Sequence, residues 1–296
     1  MKKISVIIPC YNDPNGLKIT LESLENQSLS KDLFEVIVGN DGASEDVRNV
    51  CNNFGVRFVN VFPRRGISVA RNRAIEKSFC NLLAFTDADI VVDKNWLENG
   101  IKFLSIYDYV GGVIKTVLNK NKIRNHEYYQ YLTSFNNEYN FKKDKYFAGG
   151  NIFAKKKVFD KLAGFEEKII FGGEDREFGV RVFLSKRYRM FYSEEIIVYH
   201  PVRTFKELLR KSDIYRESSF FLGKICFDKF PSLKPNIFKF FKLIIIPPIK
   251  VLGSKRKINK FVKIKVFFWS FYLGFLDSLN YIKNRIKGKK YYDFFE

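Results

Sequence analysis

Four short strand-like segments, residues 4–9, 34–38, 56–61 and 81–86, alternate with segments whose apolar residues recur at helical spacing. Leu17, Leu21 and Leu24 mark the first such segment, and Val47, Val50 and Cys51 mark the second. Residues 68–77 and 96–104 continue the rhythm, and 109–114 is again strand-like. Residues 4–9 are a run rich in Ile and Val with no polar face to turn to water, which suits a strand buried on both sides. Strands of this kind separated by helices predict an α/β chain with a mostly parallel sheet flanked by helices. Ligands of such sheets bind beyond the carboxyl ends of the strands. Asp41, Asp87 and Asp89 sit just past strand ends, which puts three carboxylates along one rim.

Charge narrows the function classes by where it lies. The 296 residues carry a formal net charge of +20. Residues 1–200 hold 30 Lys and Arg against 25 Asp and Glu, a net +5; residues 201–296 hold 22 against 7, a net +15. The first two thirds have the balance of an ordinary enzyme, and the last third is a basic segment. There, apolar runs at 243–249 and 266–276 stand on either side of a Lys-rich stretch at 255–265. Neither run reaches the roughly 20 residues that a bilayer-spanning helix needs. Such a pattern predicts a mainly helical region lying on an anionic membrane surface. Cys10, Cys51, Cys80 and Cys226 form no Cys-x-x-Cys pair, and free thiols suit a reducing compartment. No secretory stretch precedes the first strand. The expectation is a cytoplasmic protein, peripherally associated with the inner face of the cell membrane.

Asp87-Ala88-Asp89 is the strongest local motif. Two acids one residue apart after a buried strand can offer oxygens to Mn²⁺ or Mg²⁺, although an acidic turn in solvent is spelled the same way. Three further motifs precede it: Ser5-Val6-Ile7-Ile8-Pro9-Cys10-Tyr11-Asn12, Gly39-Asn40-Asp41-Gly42-Ala43-Ser44 and Gly66-Ile67-Ser68-Val69-Ala70-Arg71-Asn72. Together the four resemble glycosyltransferase family 2 over roughly residues 3–200. The resemblance implies the GT-A nucleotide-sugar-binding fold and a divalent metal cofactor. It implies that Pro9, Tyr11 and Asn12 shape a loop against the nucleotide base and ribose, and that Asp41 bonds the base, usually uracil. Arg71 would lie near the phosphates. Asp87 would contact the ribose or metal-bound water, and Asp89 would ligate the metal.

Glu174-Asp175 follows Gly172-Gly173 and opens a helical segment. Acids at a helix start compensate the dipole in any protein. By the resemblance, Asp175 is the general base that deprotonates an acceptor hydroxyl, and Glu174 positions the acceptor or shares that role. A single displacement with one base implies inversion at the anomeric carbon. His200 follows the last strand and is either a structural histidine or a further metal ligand. Gly149, Gly150 and Asn151 either line the sugar or acceptor pocket or form a plain turn. Trp96 either stacks on a sugar or packs in the core.

The reading is a catalytic domain over residues 1–202 and a basic amphipathic region over 203–296. Its partners are a nucleotide-sugar donor, a UDP-sugar as the resemblance implies, a glycan or lipid-linked glycan acceptor, and an anionic membrane surface. Residues 117–145, rich in Asn, Lys and Tyr without a clear period, read as a long connection or flap. One alternative keeps the fold and places the sugar on a polyprenyl phosphate, which needs no base. A second is a nucleic-acid-binding protein using the basic tail, but no recognised module supports it and no nucleic acid is expected. A dinucleotide-binding oxidoreductase is excluded at the first strand, where Pro9-Cys10-Tyr11-Asn12 stands in place of G-x-G-x-x-G.

Overall fold

The computed structural model describes residues 2–118, 123–134, 136–170, 172–225 and 239–286. Cys226, read above as a free thiol, lies outside them, as does part of the 203–296 region. The first elements are β1 (Ile4–Cys10), α1 (Pro14–Glu25), β2 (Phe34–Asp41), α2 (Glu45–Asn53), β3 (Arg57–Val61), α3 (Ile67–Glu76) and β4 (Leu82–Phe85). They are followed by β5 (Val91–Val92), α4 (Trp96–Leu104), β6 (Tyr109–Val117), α5 (Asn125–Thr133), α6 (Asn137–Asp144), β7 (Ile152–Lys155) and α7 (Lys156–Lys161). The last are α8 (Glu174–Leu184), β8 (Met190–Pro201), α9 (Phe205–Ile225), α10 (Lys239–Gly253) and α11 (Lys260–Ile286).

All seven residues of β1 and all eight of β2 are buried, although β2 carries Glu35, Asn40 and Asp41 among its apolar residues. The Asp13 side chain accepts from the Gly16 amide at 2.9 Å and caps α1, with Pro14 in the first turn where its missing N–H costs nothing. Eight strands form one sheet in the order β3-β2-β1-β4-β7-β6-β8-β5. β1 pairs in parallel with β2 and β4, and β2 with β3. This is the parallel half that the alternating pattern predicts. β7 is antiparallel to both β4 and β6, and β5 is antiparallel to β8, so the other half is mixed. Beneath the sheet lies an aromatic core in which Phe159 stacks on Phe178 with ring centroids 4.2 Å apart. Cys10, Cys51 and Cys80 are free and buried.

Residues 117–145 are not a structureless flap: they contain α5 and α6. α5 buries His126, Gln130 and Leu132, so its inward face is largely polar and gives no apolar period. α6 is capped by Asn136, whose side chain accepts from the Tyr139 amide at 2.9 Å.

The chain divides into two compact units, residues 1–115 with 136–200, and residues 116–135 with 201–296. The second unit therefore takes a segment that a division at 202 leaves with the first. Its small core is built by Leu132, Val251 and Val266, with Tyr128, Tyr131 and Phe267 packed around them. The Arg256 guanidinium donates to the carbonyls of Tyr131 and Ser134. No helix among the described residues is long and apolar enough to cross a membrane.

Candidate active site

The carboxyl ends of β1 and β2 form the first wall of the site. Pro9 is buried opposite Gly39, and the chain then turns through Asn12 at φ 48°. Tyr11 is exposed, and the Arg64 guanidinium lies 3.5 Å from its ring centroid. Asp41 is buried and committed to the loop before α3: Oδ1 accepts from the Arg65 amide at 2.7 Å, and Oδ2 from the Gly66 amide at 3.0 Å. Burial pushes its carboxyl above the usual range against the opposing pull of these two amides. The Arg64 guanidinium stands 3.8 Å from Oδ2 as well, so a contact to a nucleotide base would be a further demand on Asp41, met from its remaining lone pairs.

The resemblance implies a place for Arg71 near the donor phosphates; the side chain is 1% exposed. Its Nη2 donates to Asp87 Oδ1 at 2.7 Å and its Nη1 to Glu174 Oε1 at 2.5 Å. A guanidinium removed from water needs carboxylates around it, and those two satisfy that need. Burial would lower Arg71, but Asp87, Glu174 and Asp175 raise it above its usual range. Burial and the neighbouring Asp175 hold Glu174 above the ordinary carboxylate range in spite of Arg71. Asp175 is also raised, by burial first. It remains partly exposed, with Oδ2 accepting from the Gly149 amide at 2.8 Å and Oδ1 from the Arg176 amide at 2.7 Å.

The glycines before β7 are fitted to this cluster. A Cβ on Gly149 would stand 2.5 Å from Arg71 Nη2, and one on Gly150 would stand 3.1 Å from Asp87 Oδ2. Backbone without side chains is what lets β4, α3 and α8 converge here. Among the described residues, Arg71 Nε, Glu174 Oε2 and Tyr109 Oη are buried without a hydrogen-bond partner.

On the opposite side of Asp87, the pairing of Val91 with Tyr199 draws the end of β8 alongside the Asp87-Ala88-Asp89 turn. His200 Nε2 comes within 3.6 Å of Asp89 Oδ2. No cluster of three or more His, Cys, Asp or Glu side chains suited to a metal occurs among the described residues. A carboxylate and an imidazole alone fit a cation whose remaining ligands are substrate oxygens and water.

Trp96 and Asn151 do not line a sugar pocket. Trp96 is fully buried, with its ring 4.7 Å from that of Phe153. Its Nε1 donates to Asn151 Oδ1 at 2.9 Å, and Asn151 Nδ2 donates to the carbonyls of Val113 and Ile196. Both are core residues that tie α4 to the sheet. The sequence reading also passed over Arg64 and Thr20. Thr20 Oγ1 donates to the Asp87 carbonyl at 3.2 Å and accepts from the Ile90 amide at 3.1 Å, fixing the acidic turn. The signal for Arg64 was present: two arginines directly before the glycine that opens α3.

The sequence profile described as "Glycosyl transferase family 2" matches residues 5–163, a span that contains all four strand-end motifs. The chain belongs to glycosyl transferase family 2. It is a glycosyltransferase of the GT-A fold. A second profile, described as the "N-terminal domain of galactosyltransferase", matches residues 130–202. Glycosyltransferase AglE of Haloferax volcanii is 28% identical over 220 residues, which is 70% of this chain and 70% of that protein. The chondroitin synthase of Escherichia coli is 26% identical over 69% of this chain but only 35% of its own length. Among solved structures, the mannosyltransferase PcManGT of Pyrobaculum calidifontis, in complex with GDP-Man and Mn²⁺, is similar at a TM-score of 0.63 and 16% identity, covering 97% of this chain and 88% of that one. TarS of S. aureus in complex with UDP-GlcNAc gives a TM-score of 0.55 at 16% identity, over 90% of this chain and 70% of that one.

Proposed function

We propose that this family 2 glycosyltransferase moves a sugar, with inversion, from a nucleoside-diphosphate sugar to a hydroxyl of a glycan or lipid-linked glycan, with Asp175 as general base. One observation carries the reading. Arg71 holds Asp87 of the strand-end rim and Glu174 of α8 at 2.7 and 2.5 Å, so donor-side and base-side carboxylates meet around one guanidinium. The nucleotide would lie along Pro9, Tyr11, Asn12 and Asp41. PcManGT with GDP-Man and TarS with UDP-GlcNAc support a nucleotide-sugar donor.

Asp89 and His200 would hold a divalent cation, which neutralises charge on the diphosphate leaving group when bound. The imidazole nitrogen favours Mn²⁺ over the oxygen-seeking Mg²⁺. As the acceptor oxygen closes on the anomeric carbon, Asp175 takes its proton. The bond from that carbon to the phosphate oxygen breaks, and its electron pair leaves with the diphosphate. The amides of Gly149 and Arg176 fix the orientation of the carboxylate and leave each oxygen a lone pair for the incoming proton. Raised by burial, Asp175 is a stronger base than an exposed aspartate.

The test is thermal unfolding with UDP, GDP or dTDP, each with Mn²⁺ and with EDTA. A diphosphate at about 100 times its Kd is expected to add roughly 2.7 kcal/mol of stability. The shift should vanish in EDTA and in Asp89→Ala. Folded, monodisperse protein that none of the three stabilises would overturn the donor site.

A further inference from the structure

The outward face of α11 is made of hydrocarbon. Phe261, Ile264, Phe268, Phe271, Phe275 and Leu279 are all exposed, Phe261 by 82% and Phe268 by 66%. They recur every three or four residues and so share one stripe about 100° wide along the helix. Val266, Ser270, Leu273 and Asp277 occupy the other side and are buried. At 1.5 Å per residue the stripe from Phe261 to Leu279 is about 27 Å long. Ile245, Ile249 and Leu252 of α10 are exposed as well. An apolar surface of this extent marks a contact site.

Charge identifies the occupant. Residues 239–276 contain nine Lys and Arg and no Asp or Glu. Lys257, Lys260 and Lys265 are exposed, and Lys260 and Lys265 flank the two edges of the stripe. A second copy docked there would bring two basic surfaces together with no acid to offset them. Nucleic acid would use the lysines but gain little from Ile and Leu. A bilayer with anionic headgroups uses both: hydrocarbon for the stripe and lipid phosphates for lysines that extend sideways.

We propose that α11 lies in the interface of an anionic membrane, with its Phe-rich stripe at the acyl boundary and Lys257, Lys260 and Lys265 against lipid phosphates. The inference rests on the second unit alone and is independent of the donor, the metal and the base.

Flotation of the full chain with phosphatidylcholine vesicles, with and without phosphatidylglycerol, tests it. Binding is expected to be about tenfold or more stronger with phosphatidylglycerol and to weaken as salt is added. Phe261→Ser, Phe268→Ser and Phe275→Ser together should reduce it by about tenfold or more. Lys257→Glu, Lys260→Glu and Lys265→Glu together should weaken binding to the anionic vesicles only. Both triple variants should melt as the parent does and keep its nucleotide shift, so a lost donor site would be seen separately. Three results would overturn the proposal: no flotation with anionic vesicles, flotation that ignores the Phe replacements, or a lipid-free dimer or RNA complex that those replacements abolish.

Discussion

In the first unit Arg71, Glu174, Glu35 and Asp41 are buried, while in the second Phe261, Phe268 and Phe275 face outward. Each unit departs from the ordinary partition of side chains, and the two departures have different remedies. A charge taken from water must be satisfied within the chain. Thus Arg71 has Asp87 and Glu174, and Glu35 has Ser5, Arg57 and the Phe79 amide, which together hold its carboxyl below the usual range against the effect of burial. Exposed hydrocarbon does not prevent folding, and only a partner outside the chain can cover it. The interior departure therefore points to chemistry, and the exterior one points to a surface. Distance alone does not make the distinction: the exposed Lys102–Glu195 pair is as short as Arg71–Asp87, at 2.7 Å, yet contributes at most about 1 kcal/mol.

The contrast is most easily broken at Asp175. Asp175→Asn keeps the shape and removes the proposed base, so kcat is expected to fall by about 10²–10⁴, with stabilisation by nucleoside diphosphate retained. Initial rates and thermal shifts on the same preparation check this. Near-normal turnover would mean a nucleophile that arrives already ionised, as a lipid phosphate does.

Next in size is Arg71→Met, which leaves Glu174 buried without its cation and is expected to cost about 3–5 kcal/mol in urea unfolding. Its pH dependence carries the sign. Glu174 stands above its ordinary value of 4.5 in the folded chain, so folding takes up a proton there. That contribution is fully present below pH 4.5 and is lost as pH rises through the folded value. Without Arg71 the folded value rises further, so the variant's deficit should be level at acid pH and widen as pH rises through about 7, where the parent's Glu174 gives up its proton and the variant's does not. A deficit that ignores pH would mean that Arg71 acts by packing alone.

The smallest effect belongs to the second unit. Phe268→Ser should change unfolding stability by no more than about 0.5 kcal/mol, since an exposed ring loses few contacts. A loss of several times that would mean that the ring is packed against the chain, and the contrast between the units would close.

The parallel half of the fold was legible because β1 is an unbroken apolar run, strand-like and helical segments alternate after it, and the acids at the strand ends fall where such sheets bind ligands. What sequence could not supply was pairing at long range. Arg71 and Glu174 are 103 positions apart, and Trp96 and Asn151 are 55 apart. A tryptophan opening a helix is spelled alike whether it meets a sugar or an asparagine in the core. α5 escaped notice because His126 and Gln130 do the inward packing that leucines usually do, which removes the period. The turns were easier: Gly149 and Gly150 were singled out by type, although their actual neighbours, Arg71 and Asp87, lie on other elements. His200 was left open between two roles, and its place 3.6 Å from Asp89 comes from the pairing of β8 with the two-residue β5, too short a strand to announce itself.

Asp41 accepts from Arg65 and Gly66, a contact of the chain with itself. The loop it holds therefore takes its shape during folding, and its ordering entropy is not charged to association. Loops that order only when a ligand arrives subtract that entropy from affinity. For the proposed nucleotide, this side would be a mould already set, and discrimination among nucleobases would fall to the fit of a fixed wall.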